Sequence, residues 1–359
     1  MSFPTIHLIA PAGSCQPFFD AIGVRSAAEL IAIVQEAVGD RYLVTGSEAL
    51  IEADEDEAHG GRCDDRERAD DIRQALENDS VVAVVMLRGG AWFTRVLPLI
   101  DFTVLDRRTR PVAVFGFSEL TALVNIVAAS QQGLGIYDMG PAFLTYGLTH
   151  YASNRLASDS PAAIRPRDWM LSRLRPEFDA FFRDVIAMIE GRGTGRSITA
   201  RVSRGTMTDR CEATFVGGNL TVLSALVGSP YEMCVKPEGR WLLLEDYNDK
   251  LERIDRFLAH LTLARYWDAC AGILLGDFHK GYENLTPAVL DLLRFHVPPS
   301  RSVPVLVTSQ VGHVWPMSPL PLHVPVAIER TGPESLAIHW PAAALCTVGW
   351  EDAWCRHGS

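Results

Sequence analysis

The segment Val112–Val127 joins a strand directly to a helix, and this junction limits the fold more than any other part of the sequence. The run Val112–Phe117 is β-branched and aromatic and follows Pro111, which is typical of a buried strand. From Glu119 onward, apolar residues recur at helical spacing. Ser118 therefore lies in a sharp turn at the start of a helix, where free backbone amides can bind an anion.

Two interpretations of Ser118 follow from this segment. Gly116 and Ser118 match the first part of the G-x-S-x-G pattern of a nucleophile elbow, but Leu120 replaces the last glycine. A serine at this place is also a common helix N-cap. Both interpretations stay open on these residues alone.

Composition narrows the class of protein. A chain of 359 residues with 48% hydrophobic residues is long enough for two domains with sizeable cores. The formal charge of −11 argues against a nucleic-acid binder. The seven cysteines are scattered without a CxxC pair, which predicts free thiols. With no basic leader and no apolar stretch of membrane-spanning length, we expect a soluble cytoplasmic protein.

Strands and helices alternate in the first half of the chain. Apolar strands are predicted at Ile6–Ala10, Tyr42–Val44 and Val81–Leu87, with helices at Ala27–Val38 and Ala69–Leu76 between them. This alternation predicts a parallel sheet with helices on both faces. Ligands bind beyond the carboxyl ends of such strands, where Gly89, Gly90 and Ser118 lie.

The predicted fold class is α/β in two domains. Residues 1–150 form an N-terminal parallel-sheet domain that carries the nucleophile elbow. Residues 151–198 form a crossover segment with a helix at Glu177–Ile189, and residues 199–359 form a mixed, β-rich C-terminal domain. The active site is expected in the cleft between the two domains.

Polar residues follow apolar strands in the second domain. They are Gly217-Gly218-Asn219, Glu245-Asp246, Gly276-Asp277-Phe278 and Gly312-His313. Each of them, taken singly, is explained by ordinary turns or by surface residues.

Taken together, these motifs resemble the serine LD-carboxypeptidases, a family that includes the microcin-C self-immunity peptidases. The resemblance covers roughly residues 5–325. In chain order the matching segments are Ala10–Ser14, Arg68–Ile72, Arg88-Gly89-Gly90, Gly116-Phe117-Ser118, Gly140-Pro141, Gly217–Leu220, Gly228–Tyr231, Leu244-Glu245-Asp246, Arg253–Arg256, Leu275–Phe278 and Gly312-His313.

The resemblance implies a catalytic triad in the order Ser118, Glu245, His313. They would be the nucleophile, the orienting acid and the general base, a combination that activates a serine hydroxyl. The resemblance also implies an oxyanion hole formed by the amides of Gly90 and Glu119. Candidates for substrate binding are Arg88, Asn219 and Tyr231.

The resemblance further implies the substrate. Such proteins cut the bond between the L-centre of a diamino acid and a C-terminal D-amino acid, usually in murein tetrapeptide during cell-wall recycling. It implies a homodimer, and we expect neither a cofactor nor a metal. Two departures, Glu119 for the usual Asp and Ala91-Trp92 after Arg88-Gly89-Gly90, concern the substrate more than the reaction.

Two alternatives remain open. The first is an immunity-type peptidase that cleaves a peptidyl or aminoacyl nucleotide, in which Trp92, Trp169 or Trp315 stacks on the base. The second is a protein that binds muropeptides without catalysis, although an intact triad argues against this. His279, next to Phe278, is a rival candidate for the general base.

Overall fold

The computed structural model describes residues 3–15, 24–50, 63–140, 167–192, 197–298, 302–314 and 316–348, with the backbone alone for 167–174. Residues 349–359, which the sequence predicts to be a loosely held C-terminal tail, and residues 151–166 and 193–196 of the crossover segment lie outside these ranges. No helix within the described ranges is both long and apolar enough to cross a membrane.

The strands, in chain order, are β1 (Thr5–Ile9), β2 (Leu43–Gly46), β3 (Val81–Met86), β4 (Val112–Gly116), β5 (Gly133–Tyr137), β6 (Ile198–Arg204), β7 (Arg210–Asn219), β8 (Trp241–Tyr247), β9 (Gly272–Lys280), β10 (Glu283–Asn284), β11 (Val305–Val307), β12 (Leu320–Leu322), β13 (Pro325–Arg330) and β14 (Ser335–His339). The α-helices are α1 (Ala27–Val38), α2 (Asp65–Glu77), α3 (Thr121–Ala128), α4 (Arg167–Ile189), α5 (Leu220–Leu226), α6 (Glu232–Val235), α7 (Leu251–Leu263) and α8 (Thr286–His296). Short 3₁₀ turns lie at Glu48–Leu50, Leu97–Leu99, Phe102–Arg107, Ser118–Leu120, Tyr266–Asp268 and Ala342–Leu345.

The chain divides into two compact units. The first contains residues 1–115, 140–194 and 345–359, and the second contains residues 116–139 and 195–344. The 24-residue segment 116–139, which carries Ser118, therefore groups with the C-terminal half of the chain. The predicted ranges 1–150, 151–198 and 199–359 stay a proposal for sequence-contiguous domains.

The first unit contains the expected parallel sheet. Its strands lie in the order β2, β1, β3, β4, and each neighbouring pair is parallel. Strand β3 is buried along its whole length, which explains its continuous run of Val, Ala and Met residues. Helix α1 begins at the N-cap Ser26, whose hydroxyl accepts a hydrogen bond from the amide of Glu29.

The second unit is built mainly on a sheet that closes on itself. Its strand order is β10, β9, β11, β6, β14, β13, β7, β8, and β8 also pairs with β9. The pairs β7–β8, β8–β9 and β9–β11 are parallel, so the carboxyl ends of these four strands meet at one edge. This edge is the place where the polar motifs of the second domain occur.

The mixed α/β fold was predicted correctly, but several element boundaries differ. Helix α4 begins at Arg167, ten residues before the expected start at Glu177, and Pro176 lies inside it. A proline inside a helix lacks one backbone donor and usually marks a boundary, which is why the sequence favoured a later start. Helices α6 and α8 and strands β5, β6, β10, β12, β13 and β14 were not predicted.

Candidate active site

The turn that carries Ser118 has the conformation of a nucleophile elbow. Strand β4 ends at Gly116, the 3₁₀ turn Ser118–Leu120 follows, and helix α3 begins at Thr121. Ser118 itself has a φ of +55°, a value that a non-glycine residue adopts at a cost of about 1–3 kcal/mol. This backbone places the serine side chain at a partly exposed position ahead of the helix.

Contacts from its own helix and from β7 hold this turn in place. The Thr121 hydroxyl donates a hydrogen bond of 2.7 Å to the carbonyl of Ser118 and accepts one of 2.9 Å from the amide of Asn219. Asn125 completes the connection, because its side-chain amide bonds both the N–H and the carbonyl of Gly217. The nucleophile turn is therefore fixed to the end of β7 within the second unit.

Glu245 lies at the carboxyl end of β8, at an irregular point of the sheet. The register between β8 and β9 shifts between Leu244 and Asp246, because β9 has one extra residue near Gly276. The amide of Asp277 donates to the carbonyl of Val311 and not to β8. Glu245 is completely buried next to this irregularity.

His313 bridges Ser118 and Glu245. Its Nδ1 lies 2.7 Å from Glu245 Oε2, and its Nε2 lies 3.1 Å from Ser118 Oγ. A carboxylate only accepts hydrogen bonds, so Nδ1 carries the proton and Nε2 is left to accept the proton of the serine hydroxyl. This is the tautomer that a general base needs.

Neighbouring groups fix the position of the imidazole ring. Tyr247 stacks on it with ring centroids 4.9 Å apart, and Phe117 contacts it at 5.0 Å. Gly312 has a φ of +120°, and a Cβ there would lie 3.2 Å from Glu245 Oε2 and 3.1 Å from Asp277 Cβ. A glycine before His313 is therefore required for the backbone to pass close to the acid.

Charges near the imidazole alter its pKa. Burial lowers the pKa of His313, but the charge and hydrogen bond of Glu245, with the charges of Asp246 and Asp277, raise it above its ordinary 6.5. Burial and the Glu245 charge raise the pKa of Asp246 to about 7. Burial also raises the pKa of Asp277, whose carboxylate accepts a hydrogen bond from His279.

Glu245 has two further partners, one of which the sequence did not indicate. Its Oε1 accepts hydrogen bonds from the hydroxyl of Tyr137 at 2.7 Å and from the side-chain amide of Asn219 at 3.3 Å. Asn219 was expected as a substrate-binding residue, whereas Tyr137 was not singled out. Its only sequence signal is its place at the end of the strand after α3, where a phenol can face the site.

Asn219 also caps a helix. Its side-chain oxygen accepts a hydrogen bond of 3.2 Å from the amide of Val222 at the start of α5. The side-chain nitrogen of Asn219 donates to Glu245, so both ends of its amide have partners within the second unit. The predicted contact of Asn219 with substrate stays a prediction.

The remaining predicted site residues are Arg88, Gly90, Tyr231 and Glu119. The guanidinium of Arg88 donates a hydrogen bond to the carbonyl of Ser14 within the first unit. Gly90, in the same unit, has a φ of +136°. Tyr231 is partly buried, which raises the pKa of its hydroxyl, and its amide donates to Ser229. Glu119 directly follows Ser118 in the 3₁₀ turn. The roles expected of these four residues stay predictions.

The residues named for the alternative functions and for the rival general base have other contacts or lie outside the described residues. The guanidinium carbon of Arg95 lies 5.4 Å from the ring centroid of Trp92, so a cation already covers one face of this indole. Trp315 and the side chain of Trp169 lie outside the described residues. His279 bonds Asp277, whereas the imidazole that reaches Ser118 is His313.

No group of His, Cys, Asp and Glu within the described ranges has the geometry to hold a metal ion. What the described arrangement can do is activate a hydroxyl. Ser118, His313 and Glu245 form a continuous hydrogen-bonded chain from a partly exposed hydroxyl to a buried carboxylate.

Two family models match most of the chain. Residues 6–137 match the LD-carboxypeptidase N-terminal domain, and residues 212–328 match the LD-carboxypeptidase C-terminal domain. A probable murein peptide carboxypeptidase of Bacillus subtilis is 26% identical over 270 residues, which cover 74% of each chain.

Solved structures share the fold. An MccF-like protein from Bacillus anthracis superposes with a TM-score of 0.65 at 16% identity, covering 95% of this chain and 98% of that one. A muramoyltetrapeptide carboxypeptidase from Oxalobacter formigenes superposes with a TM-score of 0.61 at 21% identity, covering 94% of this chain and 99% of that one.

Proposed function

The chain belongs to the LD-carboxypeptidase family, and from this premise we propose that it is a serine peptidase which removes the C-terminal D-amino acid from murein tetrapeptide. The bond cut joins the L-centre of a diamino acid to the D-amino acid. The single observation that carries this proposal is the hydrogen-bonded chain Ser118–His313–Glu245. The name of the Bacillus subtilis relative supports the choice of substrate.

Acylation begins at the serine hydroxyl. Ser118 Oγ attacks the carbonyl carbon of the diamino acid while His313 Nε2 takes the hydroxyl proton. The buried carboxylate of Glu245 holds the imidazole by Nδ1 and stabilises the positive charge that forms on the ring. His313 then gives its proton to the leaving nitrogen, the C–N bond breaks, and the D-amino acid departs.

Deacylation repeats these proton transfers with water. His313 removes a proton from water, the hydroxide attacks the acyl carbon, and Ser118 regains its proton as the tripeptide leaves. In both steps we assign stabilisation of the negatively charged oxygen to the backbone amides of Glu119 and Gly90. Arg88, Asn219 and Tyr231 remain our candidates for binding the charged and polar ends of the peptide.

The test is an assay for the released amino acid. The purified chain is incubated with murein tetrapeptide, and D-alanine and tripeptide are measured by mass spectrometry. We expect release by the natural chain and at least a thousandfold loss, a rough lower bound, in Ser118→Ala. Ser130→Ala is a matched control, because Ser130 follows the same helix and bonds the carbonyl of Val127.

Other outcomes of this assay distinguish the alternatives. Tight binding of the tetrapeptide without any release contradicts the hydrolase and favours a muropeptide-binding protein. Cleavage of a peptidyl nucleotide in place of the tetrapeptide favours the immunity-type peptidase. Release that persists in Ser118→Ala contradicts the triad.

We also propose a cytoplasmic homodimer. The six cysteines within the described residues are free thiols, as expected of a reducing compartment, and the family resemblance supports the dimer. Sedimentation equilibrium tests the dimer, and a single species with the monomer mass of 39.5 kDa contradicts it.

A further inference from the structure

The hydroxyl of Tyr137 touches two parts of the triad that are remote in sequence. It accepts a hydrogen bond of 3.1 Å from the backbone amide of Ser118 and donates one of 2.7 Å to Glu245 Oε1. A phenol can donate a hydrogen bond through its proton and accept one through its oxygen, and the Tyr137 hydroxyl does both. The nucleophile turn and the acid are thus joined through one oxygen atom.

We propose that Tyr137 is a positioning residue which fixes the distance between the nucleophile turn and Glu245 and sets how strongly Glu245 acts on His313. The proposal rests on the proposed function, because it assigns His313 as the base and Glu245 as its partner. It adds a fourth side chain to the machinery, one that touches neither substrate nor the reacting atoms.

Burial increases the free-energy cost of losing these hydrogen bonds. Tyr137 and Glu245 are both completely buried, so water does not replace a lost bond. Burial and the charge of Glu245 raise the pKa of Tyr137 well above its ordinary value. The phenol therefore remains a neutral donor at every pH at which a histidine base works.

The ring of Tyr137 is held rigidly by its neighbours. Strand β5 pairs with β12, where Tyr137 lies opposite Leu320, and Phe117 meets the ring edge-on at 6.5 Å. Gly218 passes so close that a Cβ there would lie 2.6 Å from Tyr137 Cε2. A phenol that cannot move aside is suited to fix the position of another group.

The two oxygens of Glu245 have separate partners. Oε2 accepts from His313 Nδ1, whereas Oε1 accepts from Tyr137 and Asn219. Each donor on Oε1 draws negative charge away from Oε2 and weakens the attraction for the imidazolium. Tyr137 is the closer of the two donors, so it has the larger effect.

The bond to Tyr137 also has a consequence for the oxyanion hole. Because the Ser118 amide donates to the phenol, that amide does not donate to the substrate oxygen. The oxyanion role that the proposed function gives to this turn is therefore assigned to the amide of Glu119 and not to that of Ser118.

All charged groups that act on His313 have to be considered in a pH test. Among the described residues they include Glu245 and, when ionised, Asp246 on β8, and Asp277 on β9, each of which raises the pKa of the imidazole against the effect of burial. Ser118 and the rings of Phe117 and Tyr247 contact it without charge. Tyr137 influences the charge on the imidazole through its bond to Glu245.

Replacement of the phenol by Phe tests the proposal. In Tyr137→Phe, we expect kcat on murein tetrapeptide to fall about 10- to 100-fold with KM unchanged, because the bonds that fix the distance between the nucleophile turn and Glu245 are lost. With less of its charge drawn away, Glu245 acts more strongly on the imidazole. The acid limb of the kcat/KM profile therefore moves to higher pH.

Tyr42→Phe is a matched control outside the site. Tyr42 is also buried, and its hydroxyl donates a bond of 2.8 Å to Glu190. This substitution removes an equivalent tyrosine–glutamate bond from the first unit. We expect a similar loss of stability but an unchanged pH profile.

A titration separates this proposal from the proposed function. The imidazole of His313 is followed by NMR with histidine-labelled protein, which requires no substrate. A higher pKa for His313 in Tyr137→Phe supports the proposal, and an unchanged or lower pKa overturns it. Absence of D-alanine release by the natural chain contradicts the proposed function and does not alter this comparison of pKa values.

A second variant covers the case in which Tyr137→Phe does not fold. Site-specific 3-fluorotyrosine at position 137 keeps the ring and the hydroxyl but makes the phenol a stronger donor. We expect the opposite shift, a lower pKa for His313 and an acid limb at lower pH. An unchanged or higher pKa in the fluorinated protein overturns the proposal.

Discussion

His313 Nε2 lies 3.1 Å from Ser118 Oγ although 195 residues separate them in the sequence. Both residues belong to the same compact unit, because the segment 116–139 groups with the C-terminal half of the chain. The contact is therefore internal to that unit. Four predictions follow from the groups around it.

The backbone of Ser118 predicts a trade between stability and activity. Its φ of +55° is unfavourable for a residue with a Cβ, and glycine adopts it freely. We expect Ser118→Gly to be more stable than Ser118→Ala by about 1 kcal/mol, with activity lost in both variants. Urea unfolding measures the difference, and equal stability of the two variants contradicts the strain.

Glu245→Gln tests the role of the buried acid. Glutamine presents either an amide donor or a carbonyl to His313 Nδ1, and the donor favours the wrong imidazole tautomer. We expect kcat to fall by as much as about 10,000-fold with the fold retained. Steady-state kinetics and circular dichroism provide the measurement. Rates within a few fold of the natural chain would move the orienting role to another carboxylate, such as Asp277.

The pH profile follows from the direction of the His313 shift. A base works in its neutral form, and carboxylates raise the pKa of His313 above 6.5, so the acid limb of kcat/KM lies above pH 6.5. His279→Ala is the control, because His279 bonds Asp277 rather than Ser118. Initial rates across the pH range test this, and a limb that vanishes in His279→Ala assigns the base to His279.

Asp246 predicts a pH-dependent stability. Burial and the neighbouring Glu245 raise its pKa from 3.8 to about 7, so the folded chain keeps a proton that the unfolded chain has lost. The free energy of unfolding therefore falls as pH rises from about 4 to about 7, by up to about 1.4 kcal/mol per pH unit. Below pH 4 both states are protonated, and this contribution to stability is fully present.

The hydrogen bonds around Asp246 agree with a protonated carboxyl. The Thr221 hydroxyl lies 2.9 Å from Asp246 and 2.8 Å from Asp249, but it has only one proton to donate. A proton on Asp246 allows both bonds to form. In Asp246→Asn we expect a smaller dependence of unfolding on pH, whereas Asp106→Asn, at an exposed position, leaves it unchanged. Urea unfolding at pH 5 and pH 7 compares the variants, and identical pH dependence in all three proteins contradicts the shift.

Several features could be predicted from local sequence. The strand-to-turn-to-helix junction at Ser118 was predicted within a residue or two, because β-branched runs and helical periodicity reflect short-range preferences. The residues of the proposed triad were named from the family resemblance, since each motif taken singly is also explained by ordinary turns or surface residues. Helix α4 was predicted too short, since Pro176 indicates a boundary on local grounds alone.

The sequence by itself predicted the alternation of strands and helices in the first half of the chain and the strand-to-helix junction at Ser118, and its family resemblance supplied the candidates Glu245 and His313. Only the tertiary structure decided which atoms meet: the imidazole between Ser118 and Glu245, and the phenol of Tyr137 on the second oxygen of that acid. The register shift opposite Glu245 arises from the pairing of β8 with β9. Local preferences extend over a few residues, whereas these contacts depend on how distant strands pack, and no single segment encodes that packing.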